Sequence, residues 1–95
     1  MVTLHIEHPI TDLDTWLDAF SRFEGVRRQA GVLSHRVRQP VDDASYIYVD
    51  LAFETAERAA AFRTFLEENV WASPTASPAL AGASEARILA DVEAG

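Results

Sequence analysis

The sequence predicts an α+β domain in the order β-α-β-β-α-β, laid on one four-stranded antiparallel sheet. Three observations carry this. Residues 32–38 and 46–53 alternate in character and flank a Pro/Asp/Asp/Ser turn, which reads as a β-hairpin. Alternating runs also open and close the chain, VTLHIEH and EARILADV. Between these strands lie two segments whose apolar residues recur at helical spacing.

The first strand covers residues 2–8. Val2, Leu4 and Ile6 point one way, and Thr3, His5 and Glu7 the other. Pro9 has no N–H for a ladder, so the strand is expected to stop there. Thr11-Asp12-Leu13-Asp14 opens a helix over 12–29 in a capping-box pattern with Asp in place of Glu. Asp12, Asp14 and Asp18 suit its positive end, and Arg27-Arg28 its negative end. Leu13, Trp16, Leu17, Phe20 and Phe23 form its apolar stripe, and Gly31 closes it.

On the second hairpin strand, Ile47, Val49, Leu51 and Phe53 form a wholly apolar face, while Tyr46, Tyr48, Asp50 and Ala52 form a mixed one. Glu54-Thr55 begins a second helix, with Ala59, Phe62, Phe65 and Leu66 turned to the core, and Ser73-Pro74 ends it near Trp71. In residues 72–84, Ser77-Pro78 and Gly82 bracket what reads as one short helical turn. Residues 85–92 supply the fourth strand.

Ninety-five residues with 48% hydrophobic content make one domain spanning 1–95, with a modest core. No apolar run reaches the ~18 residues that span a bilayer, and the N-terminus has no signal-peptide pattern, so cytoplasmic residence is expected. Cysteine is absent, which excludes disulfides and thiolate chemistry. All eight basic residues are arginine, which excludes Schiff-base and P-loop lysines. A net charge of −7 without a basic stripe argues against nucleic-acid binding.

This order of elements gives the ferredoxin-like layout, with both helices on one face of the sheet and the other face bare. The segments LHIEHPI, AGVLSHRVRQPVDDASYIYVDLAFET and AERAAAFRTFLEENVWASPTASPALAGASEARIL resemble the dimeric α/β-barrel superfamily. Within it, they are most similar to small antibiotic-biosynthesis-monooxygenase-like and polyketide-cyclase-like proteins of actinobacteria. The shared features are a strand ending in Phe53, a capped Ala-rich helix and a Ser-Pro-Ala-Leu segment before the last strand. The resemblance implies a homodimer whose two bare faces meet, with ligand cavities inside the barrel or between sheet and helices.

Several residues are candidates for chemistry, each with a plainer reading beside it. His5 and Glu7 share a face, as a general base and its orienting carboxylate would, or as a half-buried polar pair would. Asp50 has Arg36, Arg38 and Arg87 as prospective neighbours, in a structural ion pair or with Arg36 holding an anionic ligand. Tyr46, Tyr48 and Trp71 could wall a pocket for a flat aromatic ligand, or anchor core and interface. His5, His8 and His35 lack metal-ligand spacing, and no metal or cofactor is expected. Haem degradation, known in the superfamily, is disfavoured because Glu7, Phe65 and Thr75 stand where an Asn, a Trp and a His are required.

Two functions follow. The first is a cofactor-independent monooxygenase or cyclase-like enzyme acting on an aromatic or polyketide-like compound. In it His5 with Glu7 would move the proton, Arg36 would hold the enolate or phenolate, and Tyr48 and Trp71 would sandwich the ring. The second is a non-catalytic ligand-binding or stress-related dimer. Polar groups left unpaired toward a cavity would favour the enzyme.

Overall fold

Alternation along the strands sorts the molecule into two faces. In a computed structural model, which describes residues 1–94, β1 (Val2–Pro9), β2 (Ser34–Arg38), β3 (Tyr46–Phe53) and β4 (Glu85–Ala90) form one antiparallel sheet in the order β2-β3-β1-β4. β1 is central, pairing Ile6 with Val49 on β3 and with Ala86 on β4. Leu4, Ile6, Ile47, Val49, Leu51 and Phe53 point to the helical side and are buried. Their neighbours on the other side, among them His5, Glu7, Tyr46, Tyr48 and Asp50, are half-buried.

The helical side is covered by α1 (Leu13–Arg22), α2 (Glu24–Ala30) and α3 (Ala56–Phe65), with α3 running into a single π-helical turn at Leu66–Val70. Asp12 caps α1 by accepting from the Thr15 N–H at 2.8 Å, and Thr55 caps α3 by accepting from Arg58 N–H. Trp16, Ala59 and Phe62 join the sheet residues in one core. Gly31 ends α2 in the left-handed region at φ 95°, where a side chain would be strained.

The structure departs from expectation in four places. The first helix is not continuous over 12–29. It breaks at Phe23, whose N–H bonds back three residues to the Phe20 carbonyl, and Arg27 Nη1 donates to that same carbonyl at 2.5 Å. β1 continues through Pro9, because the Pro9 carbonyl still accepts from Ala81 N–H and the ring's missing donor leaves no bond broken. Residues 77–82 form no helix: Leu80 N–H reaches only Ser77, and Leu80 bridges Ile10 instead. Leu17 is 41% exposed, and Ala19 takes the buried position beside Trp16.

Candidate functional site

Two clusters of chemistry-bearing side chains lie on opposite sides of β1. On the open face, cross-strand register sets His5 opposite Asp50 on β3 and Arg87 on β4. His5 Nδ1 donates to Asp50 at 2.6 Å and Nε2 donates to Glu7 at 2.9 Å. Asp50 also accepts from Arg38 at 2.5 Å, and Glu7 from the Tyr46 hydroxyl at 2.9 Å. The result is a closed relay, Arg38–Asp50–His5–Glu7–Tyr46, across three strands. Burial alone would lower the His5 pKa, but the two carboxylates outweigh it and raise it above the ordinary histidine value. Glu7 is lowered by the bonds from His5 and Tyr46. Tyr46 is pushed up to about 12, first by burial and then by its bond to Glu7. Each His5 ring nitrogen thus faces a carboxylate, an arrangement that favours the imidazolium.

The second cluster lines a cavity of ≈ 90 Å³ between the sheet and the helices. Its walls are aromatic. Trp16 and Phe20, one turn apart on α1, stack at 4.8 Å between ring centroids, and the Arg27 guanidinium lies 3.6 Å from the Phe20 centroid. Phe62 and Phe65 stack at 5.8 Å on α3, and Trp71 closes one end. Two titratable side chains line this apolar space. His8, 4% exposed, is delivered by the same alternation that buries Leu4 and Ile6. Its Nδ1 donates to the Pro9 carbonyl at 2.9 Å, and Nε2 has no hydrogen-bond partner among the described residues. Burial lowers the His8 pKa despite that bond, so the ring is neutral with its free lone pair on Nε2. The Arg27 side chain makes no ion pair among the described residues, where its guanidinium donates one hydrogen bond, to the Phe20 carbonyl; the residue is 7% exposed. Burial lowers its pKa too, but a guanidinium stays charged.

The expected site residues divide between these places. His5, Glu7 and Asp50 come together, joined by Arg38. Arg36 stands opposite Asp50 in register yet makes no ion pair among the described residues. Tyr48 lies on the open face, 5.9 Å from the His5 ring, whereas Trp71 lines the cavity on the far side of the sheet. The two therefore do not sandwich one ring within a protomer. His35 is exposed at the sheet edge against Phe20 at 5.3 Å. No cluster of metal-ligating residues occurs among the described residues, and no helix there is long and apolar enough to cross a membrane.

Sequence reasoning missed His8 and Arg27 as a pair. The signals were present. His8 continues the Leu4/Ile6 alternation, and Arg27 continues the 16/20/23 spacing of the α1 stripe.

No protein-family model and no curated protein matches the chain. Solved structures do. SnoaB, a cofactor-independent oxygenase from Streptomyces nogalater, superposes with a TM-score of 0.70 at 17% identity, covering 98% of this chain and 94% of that one. A monooxygenase from the gene ActVA-Orf6 of Streptomyces coelicolor, in complex with the ligand nanaomycin D, gives 0.63 at 16% identity over 98% and 88%. A putative antibiotic biosynthesis monooxygenase from Nitrosomonas europaea gives 0.66 at 17% identity over 98% and 100%. The fold is therefore the ferredoxin-like fold of these structures.

Proposed function

We propose that the cavity between sheet and helices is the active site of a cofactor-independent monooxygenase acting on a hydroxylated aromatic or polyketide-like molecule. One observation carries this reading: a buried neutral imidazole, His8, with its second nitrogen unengaged, lines a cavity that also holds the unpaired Arg27 guanidinium. A general base needs a free lone pair and a pKa that keeps it unprotonated, and His8 meets both conditions. Nε2 takes a proton from an activated aromatic C–H or O–H. Arg27 holds the enolate or phenolate oxygen that results. Trp16, Phe20 and Phe62 hold the ring and keep water out. For an aromatic methylene the overall change turns one methylene and one dioxygen into one carbonyl and one water. Both C–H bonds break, one oxygen atom becomes the carbonyl oxygen, the other leaves as water, and the substrate supplies all four electrons. The like fold of a cofactor-independent oxygenase and of a monooxygenase that binds nanaomycin D supports the reading. A cyclase would use the same base without dioxygen.

The test is dioxygen uptake with anthrone as probe, in protein freed of added metal and flavin. Uptake above the spontaneous rate, with one oxygen atom of isotopically labelled dioxygen in the product, is expected. No uptake above background with anthrone and related phenols, by protein that binds them, would leave the cavity as a binding site only.

The open face favours a second role. Five of its polar side chains, Arg38, Asp50, His5, Glu7 and Tyr46, are paired with one another, as in a structural surface, and Leu89 stands 45% exposed on the same face. We propose that a second copy of the chain covers this face, giving a homodimeric barrel; sedimentation should return twice the 10.5 kDa protomer mass.

A further inference from the structure

The cavity is too small for the ligand its chemistry suits. It measures ≈ 90 Å³, whereas a dry apolar cavity of about 150 Å³ is what accommodates one benzene. A flat ligand therefore needs space from elsewhere. That space lies behind Trp71 and Leu80, which line both the cavity and a neighbouring groove of ≈ 580 Å³. The groove runs between α3, the π-helical turn and the start of β4, and carries Arg63, Glu67 and Ser84. Ser84 Oγ is buried there with no hydrogen-bond partner among the described residues. Arg63 makes no ion pair among the described residues, not even with Glu67 one turn on. A buried hydroxyl without a partner costs free energy unless a ligand or water engages it. The Leu80 backbone is pinned by its bridge to Ile10, so the Trp71 side chain is the part of the partition that can move. Trp71 follows the π-helical turn, tied to it by its N–H bond to the Leu66 carbonyl at 2.8 Å, and its indole N–H has no partner among the described residues.

We propose that Trp71 is the movable half of this partition, and that the groove is a second subsite for a two-part ligand. The apolar ring enters the cavity, and a single carboxylate on its tail reaches Arg63 and Ser84. Glu67 disfavours a tail of higher charge. This inference rests on the cavity being a ligand site, not on the ligand being oxidised there.

The experiment compares 1-naphthol with 1-naphthylacetate by calorimetry and tryptophan quenching. The acetate should bind the wild-type protein about tenfold more tightly. Arg63→Gln should abolish that preference while leaving 1-naphthol affinity unchanged, and Ser84→Ala should remove part of it. Stopped-flow association of 1-naphthol should accelerate in Trp71→Ala; Trp71→Leu, which keeps more apolar bulk, should be intermediate, and melting curves on both variants verify folding. The proposal is overturned if the acetate preference survives Arg63→Gln but is lost in Arg27→Met, since the carboxylate then lies in the cavity. Equal affinities for the two probes, or association unchanged in folded Trp71 variants, would also overturn it. Probes that bind with the expected dependence on Arg63 but are never oxidised would remove the oxygenase reading and leave this subsite standing.

Discussion

His5 and His8 lie three residues apart on β1, and strand alternation sends one to each face of the sheet. His5 meets a carboxylate at each nitrogen and is held as a cation. His8 meets a carbonyl at one nitrogen and no partner at the other among the described residues, and burial favours its neutral form. The same side chain is made into a cross-strand tie in one place and a base in the other. What distinguishes them is not proximity to acids in general but whether a lone pair is left over. An imidazole clamped between Asp50 and Glu7 can pass a proton only by breaking the relay, whereas His8 can accept one at no such cost.

The largest test of this contrast is turnover. With a probe that is oxidised, His8→Gln should lower kcat/KM by roughly 10²–10⁴-fold, the usual contribution of a general base. His5→Phe should stay within a few-fold, measured by dioxygen uptake in the same assay. A His5→Phe protein that folds but loses turnover as fully as His8→Gln would return the chemistry to the open face. Next in size is Arg27→Met, which removes the one arginine that lines the cavity among the described residues. Binding of a phenolate inhibitor should weaken about 10–100-fold, the range of a hydrogen bond to a charged group, while melting shows that the apolar stem still packs against Phe20. Tyr48→Asp acts on the other side: a second buried charge near Asp50 should weaken self-association about tenfold or more by sedimentation, with cavity binding unchanged.

The smallest effect, and the sharpest in sign, is pH. By NMR, His8 should titrate below the ordinary histidine value of about 6.5 and His5 above it. For His8 the folded value is depressed. Its contribution to stability is present above about pH 6.5 and is lost as the pH falls toward and through the folded value. For His5 the folded value is raised, so its contribution is fully present below about pH 6.5 and fades as the pH rises through the folded value. His8→Gln should therefore flatten the acidic limb of the stability profile and His5→Phe the limb above neutrality, read as melting temperature against pH.

The sheet was the legible part of this chain, because a period of two is visible in seven residues. β3 occupies 46–53 as its alternation indicates, and the mixed face bearing His5, Glu7 and Asp50 follows from it. The cavity was less legible for a specific reason. Arg27 beside Arg28 at a helix end already has a sufficient surface explanation in the helix dipole, so its place on the aromatic stripe went unweighed. Pro9 likewise reads as the stop of the first strand just after His8, when non-local partners, Ala81 and Tyr46, carry the strand through it. The bridge between Ile10 and Leu80 joins segments seventy residues apart, and no local Ser-Pro or Gly signal could report it.

The single wide turn at Leu66–Val70 has an evolutionary consequence. Such a turn holds one residue more than regular α-helical winding needs. Losing that residue would restore the ordinary pitch and re-seat Trp71, the first residue beyond the turn. A single codon lost there would thus alter the depth of the binding site at Trp71, while Trp16, Phe20 and Phe62, on other stretches of helix, keep their places.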